Sequence, residues 1–181
     1  AVGRLGDGEP ALLVSLLSEL ALALLLTDQE ARRRQAAERA VRIAEHSGRT
    51  ELLARAVLAD RLLMTRPDRA PERLARTEGF VHLSRPEINA EQLVRMHMWR
   101  ITDCFELGDR AGVDRELTAL VDVAAEIGQP YWVWLAATWQ ALCTFVDGDP
   151  AAAEEQAAAA LEHVADLGHP ETTLAYGMQL V

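Results

Sequence analysis

Apolar residues recur along the chain at the three- and four-residue spacing of an amphipathic α-helix, and no stretch alternates with the period of a β-strand. One clear apolar stripe comprises Val113, Leu117, Leu120, Val121 and Ala124. A matching stripe follows forty residues later and comprises Ala153, Ala157, Ala160, Leu161 and Val164. The pattern therefore predicts an all-α chain whose helices recur at an interval of about forty residues.

The same interval relates turn residues and aromatic residues. Gly108 and Asp109 match Gly148 and Asp149, and Trp99 matches Trp139. We therefore expect pairs of antiparallel helices in units at about 9–48, 49–88, 89–128 and 129–168, followed by a truncated fifth unit at 169–181. A lone helix pair cannot bury its apolar face, so stacked pairs are expected to form one domain over 1–181, an α-α superhelix.

Helix boundaries are marked by capping residues and glycines. Thr27 with Glu30 has the spacing of a capping box, and so has Asn89 with Gln92. The other signals are Thr50 and Asp149 as N-caps, Pro150 at a first helical position, and Gly48 at a left-handed helix end. These signals place two helices in each complete unit.

Charge is distributed unevenly along the chain. Residues 1–100 hold 16 arginines and 14 acidic residues, whereas residues 101–181 hold 2 arginines and 14 acidic residues. Lysine is absent from the sequence. A surface this acidic repels phosphate, so no direct nucleic-acid binding is expected. No apolar run has the length of a membrane span, and we expect a cytoplasmic protein.

Residues with catalytic or metal-binding spacing are not found. Cys104 and Cys143 lie inside apolar helical runs and are expected to be buried, reduced thiols. The five histidines are spread along the chain, and no nucleophile motif or Asp-rich metal motif occurs. We therefore expect no cofactor, no metal and no enzymatic activity in this segment, and a helical enzyme is the least favoured alternative.

Several runs carry a resemblance to known proteins. They are Trp99-Arg100, Phe105 to Asp109, Glu116-Leu117, Gln129 to Trp134, and Gly177 to Leu180. These runs resemble the tetratricopeptide-like (MalT-like) helical repeats of large actinobacterial signal-transducing ATPases. That group includes LuxR-type large ATP-binding regulators, Streptomyces antibiotic regulatory proteins and cyclase-fused ATPases. The resemblance implies a right-handed superhelix. It also implies a fragment of a larger protein, whose repeats sense an inducer or a partner and regulate the ATPase in transcription and signal transduction.

The first helix of each pair lines the concave groove in tetratricopeptide solenoids. With the Gly-Asp turn in register, the predicted groove residues are Arg55, Leu58, Arg95, Met98, Thr102 and Thr138. Arginines beside apolar residues suit a peptide or a carboxylate ligand, because a guanidinium can bind a carboxylate through two hydrogen bonds.

Aromatic residues near 131 suggest a second candidate. Tyr131 and Trp134 are assigned to a partner or inducer pocket, with Trp134 expected to be exposed near the start of its helix. Trp99 and Trp139 share one repeat position and are expected in the core.

The sequence therefore predicts a non-catalytic protein-interaction or regulatory module. Its partner would be another protein or the ATPase domain of its own protein. The alternatives are an inducer-binding domain with a pocket near Tyr131 and Trp134, and a structural scaffold that dimerises through an exposed C-terminal helix at 171–181.

Overall fold

A computed structural model describes residues 9–25, 27–61, 64, 66–82, 88–162 and 164. These residues form eight α-helices and no strand, which confirms the all-α prediction for the described part of the chain. The helices are α1 (Pro10–Ala23), α2 (Glu30–Ser47), α3 (Thr50–Arg61), α4 (Ala70–Val81), α5 (Ala90–Leu107), α6 (Arg110–Ile127), α7 (Pro130–Val146) and α8 (Pro150–Glu162). One 3-10 turn, Pro67–Arg69, precedes α4.

Helices that are consecutive in sequence pack on each other. The contacts are extensive between α1 and α2, α5 and α6, and α7 and α8, and less extensive between α3 and α4. Each pair also contacts the next, through α2 with α3, α4 with α5, and α6 with α7. Ser15 and Arg55, forty residues apart, are joined by a hydrogen bond of 3.2 Å between α1 and α3. The right-handed superhelix remains a prediction.

Glycines in the left-handed conformation end three of the helices. Gly48, Gly108 and Gly128 follow α2, α5 and α6 with φ angles of 64°, 68° and 66°. The turn after α5 is closed by hydrogen bonds from the amides of Gly108 and Asp109 to carbonyl groups of the last helical turn, at 3.0 and 2.9 Å. This pattern satisfies carbonyl groups that the end of a helix otherwise leaves without partners.

The predicted N-caps Asn89 and Asp149 form, and Asp109 is a third N-cap that was not predicted. The side chain of Asn89 accepts a hydrogen bond from the amide of Glu91 at 2.8 Å. Asp109 and Asp149 each cap the following helix in the same manner. An acceptor at this position pairs one of the free amides at the start of a helix.

Two predicted caps are wrong. Helix α2 begins at Glu30 after Gln29, and the Thr27 hydroxyl accepts from the amide of Gln29 at 3.3 Å instead of capping the helix. Thr50 is already helical, because the backbone carbonyl of Arg49, the residue before it, accepts the first hydrogen bonds of α3. Both threonines lie one or two residues from the true boundary, where a hydroxyl also has local backbone partners.

The apolar core runs between successive helices as four clusters. The cluster between α5, α6 and α7 contains Val94, Ile101, Cys104, Val113, Leu120, Ala124, Trp132, Ala136 and Cys143. Alanines dominate the first pair, where Ala37 and Ala40 of α2 are fully buried. Small side chains at these positions allow helices to approach closely. The apolar stripe predicted for α6 is thus mostly buried, with Leu117 and Val121 half-buried.

The packing of α4 depends on buried charges as well as apolar contacts. Asp103 of α5 is fully buried, and its Oδ1 accepts hydrogen bonds from Arg61 of α3 at 2.5 Å and from Arg73 of α4 at 2.6 Å. Arg73 also donates to Glu106 of α5. The same guanidinium reaches the backbone carbonyls of Met64 and Arg66, at 2.6 and 2.7 Å, in the α3–α4 connection. We call Arg61, Arg73, Asp103 and Glu106 the Asp103 cluster.

A second buried charge group joins α5 to α4 and α6. The carboxylate of Glu116 on α6 accepts from His97 Nδ1 and Arg100 Nε, each at 2.8 Å. Arg100 also donates to Thr77 at 2.9 Å and to Glu78 at 2.7 Å, both on α4. A carboxylate is an acceptor only, so Nδ1 of His97 carries the proton in this contact. The two groups of charges bring α3, α4, α5 and α6 together.

Burial of Glu116 disfavours its charged form and by itself would raise its pKa. The hydrogen bonds from His97 and Arg100, together with their positive charges, outweigh burial and hold the pKa of Glu116 below its ordinary value. A carboxyl group whose pKa falls on folding stabilises the native state at pH values above its unfolded pKa.

We expect alanine to have opposite effects on stability at a glycine that ends a helix and at a glycine within a helix. Gly108→Ala places a Cβ at φ 68° and should lower the free energy of unfolding by about 1 kcal/mol. Gly79→Ala lies within α4 with no atom within 4 Å of the added carbon, and should raise it by roughly 0.5–1 kcal/mol. Urea unfolding of both variants measures the difference. Equal effects would contradict the assigned turn.

The Glu116→Gln substitution should make the free energy of unfolding less dependent on pH in the acid range. In the native protein the stabilisation from Glu116 is present above the ordinary carboxyl pKa near 4.5 and is lost as the pH falls through the lower folded pKa. The variant lacks this titration, so its free energy of unfolding should fall less steeply below about pH 5. Urea unfolding from neutral to acid pH measures the slopes. Glu154→Gln, at an exposed position on α8, is the matched control and should keep the parental slope.

Candidate functional site

A cavity of about 490 Å³, partly open to solvent, lies between α1, α3 and α5. Arg55, Leu58, Arg95 and Trp99 contribute to its wall. The remaining lining residues are Ser18, Glu19, Leu22, Ala59, Asn89, Glu91 and Gln92. We call this space the α1–α3–α5 groove. Its volume falls in the range of ligand pockets in proteins, about 300–1,000 Å³.

Three side chains at or beside the groove occupy equivalent positions of the predicted repeat. Ser15, Arg55 and Arg95 occupy positions separated by forty residues, on α1, α3 and α5. Helices stacked in register bring such positions side by side on one face. Arg55 Nη1 donates to the Ser15 hydroxyl at 3.2 Å. The Arg95 guanidinium lies over the ring of Trp132, with 5.4 Å to the centroid.

Trp99 is held at the groove by the Asp103 cluster. The guanidinium of Arg61 lies 4.5 Å from the centroid of the Trp99 ring and donates to the Trp99 backbone carbonyl at 3.1 Å. Arg61 is itself fixed by Asp103, one turn further along α5. The position of one wall of the groove therefore depends on a buried ion pair.

The groove holds three of the residues predicted from the sequence: Arg55, Leu58 and Arg95. The other five do not line it. Met98 and Thr102 are half-buried on α5, and the Thr102 hydroxyl donates to the carbonyl of Met98 at 3.4 Å. Tyr131 and Thr138 are half-buried on α7. The predicted set is thus split between the groove and half-buried positions on α5 and α7.

The expected exposure of Trp134 is wrong. Its side chain is only 5% exposed and packs against Ala160 and Val164, beneath α8. Tyr131 lies against it, with 5.5 Å between ring centroids. The pairing of α7 with α8 covers this face. Trp134 therefore belongs to the core of the last pair and does not form the wall of an open pocket.

The expectation for Trp99 is also corrected, since it is half-buried and lines the groove. Trp139, at the equivalent position, is half-buried and packs against the core between α5, α6 and α7. Sequence reasoning missed Ser18 and Gln92, whose side chains are buried at the cavity wall. One signal in the sequence could have identified Gln92. It is polar, whereas the equivalent residue of the preceding repeat, Leu52, is apolar.

A cavity of similar size lies between α6, α7 and α8, but it has fewer free polar groups for binding a ligand. Arg110, at its edge, is paired with Asp147 at 2.6 Å and with Asp114 at 3.0 Å. Thr144 donates to Gln156 at 2.9 Å. These polar groups already have partners within the protein.

Cys104 and Cys143 are buried and unbonded, as expected, and burial raises the pKa of both thiols. Thiols of this kind stay protonated near neutral pH and are poor nucleophiles. Within the described residues, no three side chains of His, Cys, Asp or Glu are grouped as metal ligands. None of the helices in that part of the chain combines the length and apolarity of a membrane span. The predicted C-terminal dimer contact at 171–181 lies outside the described residues.

Comparison of the chain with protein-family models gives no match, and comparisons with curated proteins and with solved structures give none either. The geometry of the groove therefore carries the functional argument.

Replacing Asp103 by asparagine should loosen the groove wall. The variant removes the charge that holds Arg61 and Arg73, and loss of one partner of a buried ion pair costs about 3–5 kcal/mol. We expect a lower urea midpoint and, in the native state, a shifted NMR signal of the Trp99 indole N–H. Asp122→Asn, at an exposed site on α6, is the control. An unmoved Trp99 signal would show that the Asp103 cluster does not position this ring.

Proposed function

We propose that this chain is a non-catalytic protein-interaction and regulatory module that binds a polypeptide segment in the α1–α3–α5 groove. The observation that carries the proposal is that Arg55, Leu58 and Arg95 line one cavity together with Trp99. This combination of cationic, aliphatic and aromatic side chains is typical of surfaces that bind peptides. It lies in the arginine-rich half of the chain, and its wall carries Glu19 and Glu91 as well as the two arginines.

The partner is proposed to be another protein or a neighbouring domain of the same polypeptide. The resemblance of the sequence to repeats of ATPase-type transcription regulators supports an ATPase module as that neighbour. A regulatory role fits such a pairing, because occupation of the groove by an intramolecular segment would compete with a segment from another protein. Cytoplasmic location is part of the same proposal.

A small-molecule inducer is the second candidate. The burial of Trp134 argues against a pocket at Tyr131 and Trp134, so an inducer would use the α1–α3–α5 groove instead. The volume of the groove suits either a few residues of a peptide or a compact small molecule.

Selection from a library of random displayed peptides tests the main proposal. Enriched peptides should bind and shift the NMR signals of α1, α3 and α5. Arg95→Glu should weaken the binding at least about tenfold, because Arg95 is exposed at the groove and its charge is reversed. Arg42→Glu, at an exposed position of α2, should bind as the parent does.

Two results would contradict the proposal. One is the absence of any enriched binder. The other is a set of binders whose signals map only to the exposed apolar residues at the end of α7, Phe145 and Val146, which are 58% and 55% exposed. The second result would move the interaction surface to the opposite end of the chain.

A further inference from the structure

Three large apolar side chains are exposed together at the end of α7. Phe145 is 58% exposed, Val146 is 55% exposed and Leu142 is 38% exposed. Residues three and four positions apart lie on one face of a helix, so these side chains are neighbours on the surface. We call them the α7 apolar patch. Single exposed apolar residues are ordinary in proteins, whereas a group of large ones marks an interaction surface.

Packing within the repeat does not account for the α7 apolar patch. Two of the equivalent residues at the end of α5 are polar, since Thr102 corresponds to Leu142 and Glu106 to Val146. Glu106 accepts a hydrogen bond from Arg73 of α4, so this position faces the preceding helix pair. A helix that followed α8 at the repeat spacing would therefore leave Val146 uncovered.

The turn between α5 and α6 borders the patch. Arg110, at the start of α6, pairs at 2.6 Å with Asp147, the residue that follows Val146. Leu107, three residues before Arg110, is 45% exposed. The same end of the molecule thus carries a fourth large apolar side chain that is open to solvent.

The surroundings of the patch are acidic. Residues 130–162, which span α7 and α8, contain five acidic residues and neither arginine nor lysine. The five are Asp147, Asp149, Glu154, Glu155 and Glu162. Arg110 of α6 reaches this region, but it is shared by Asp114 at 3.0 Å and Asp147 at 2.6 Å. The region therefore keeps an excess of negative charge, which attracts cations and repels anions.

This charge restricts what can cover the patch. Phosphate groups of nucleic acids or lipids are repelled. Residues 165–181 hold two acidic residues and no arginine, so they add no complementary charge. Residues 1–100 hold 16 arginines against 14 acidic residues, so a second copy of the chain does not present a strongly basic half. The complementary occupant is a basic segment of another polypeptide.

We propose that the α7 apolar patch docks a basic amphipathic helix of another polypeptide. Aliphatic side chains of that helix pack on Leu142, Phe145 and Val146, and its arginine or lysine side chains face Asp147 and the acidic residues of α8. An amphipathic helix laid on an apolar surface is a recurrent mode of peptide recognition. The patch lies on the last helix pair, apart from the α1–α3–α5 groove, so this inference does not depend on the proposed function.

Three peptides with the same spacing of apolar positions test the proposal. Each consists of two copies of one heptad, with an acetylated amino end and an amidated carboxyl end. The heptads are Leu-Arg-Arg-Leu-Leu-Arg-Arg, Leu-Glu-Glu-Leu-Leu-Glu-Glu and Ala-Arg-Arg-Ala-Ala-Arg-Arg. NMR titration of the full chain should place the first peptide on Leu142, Phe145 and Val146. The second, which is repelled, and the third, which lacks large apolar side chains, should each bind at least about tenfold more weakly.

Variants of the chain then locate the binding energy. Phe145→Ala should weaken the leucine–arginine peptide about tenfold, because its ring is the largest apolar group of the patch. Leu142→Thr should weaken it too, and threonine is the residue at the equivalent position of α5, so this variant is expected to fold. Leu12→Ala truncates a leucine of α1 that is 43% exposed, and as the matched control it should leave the affinity unchanged. Circular dichroism and the urea midpoint check each variant.

Salt separates the charge contribution from the apolar one. Raising the ionic strength from about 0.01 M to about 1 M shortens the Debye length from about 30 Å to about 3 Å. The affinity of the leucine–arginine peptide should fall several-fold over this range, and its preference over the leucine–glutamate peptide should shrink. An affinity that does not change with salt would contradict the role given to the acidic surroundings.

Four further results would overturn the proposal. They are equal affinities for the leucine–arginine and leucine–glutamate peptides, binding that Phe145→Ala leaves unchanged, shifts that map away from the end of α7, and no binding at millimolar concentration. Nuclear Overhauser contacts between the Phe145 ring and residues 169–181 in the free chain would assign the patch to the chain itself. A dimer in sedimentation that Phe145→Ala dissociates would assign it to a second copy. None of these results bears on the α1–α3–α5 groove.

Discussion

The carboxylate of Asp103, buried completely between two arginines, is the contact on which the middle of the molecule depends. Arg61 of α3 and Arg73 of α4 both donate to the same oxygen, so three helices from two successive pairs meet at one atom. A buried carboxylate without such partners is strongly unfavourable. The helices are therefore stable in this arrangement only together, which compensates for the limited direct packing of α3 on α4.

That contact also links the interior to the surface where a partner is proposed to bind. Arg61 extends from Asp103 to the backbone and ring of Trp99, and Trp99 forms part of the groove. The groove is consequently built from two unlike components. One side is fixed by buried charges, and the other carries Arg55 and Arg95 together with the carboxylates of Glu19 and Glu91. A wall held in place by buried contacts lowers the entropy lost on binding a segment that fits it.

Patterns within a few residues of sequence predicted much of the fold, whereas contacts between residues far apart in the sequence were not predicted. Apolar spacing located the helices, and Asn89 and Asp149 marked their starts, because a helix and its cap depend on residues within one turn. Thr27 was misassigned because its hydroxyl bonds equally well within a turn. The partners of Asp103 lie 42 and 30 residues away in the chain, and no spacing rule connects them. Trp134 was misplaced because the spacing within its own helix did not show which of its faces Ala160 and Val164 cover.

The exclusive use of arginine has a consequence for chemical control of this protein. A guanidinium group keeps its proton throughout the range in which proteins are handled, whereas a lysine ammonium can lose its proton when it is buried. Alkali therefore leaves the cations of Arg73 and Arg100 in place, and only acid can neutralise these contacts, through their carboxylates. Acetyl transfer to side-chain amines, a common means of switching cationic surfaces, finds no acceptor in a sequence without lysine.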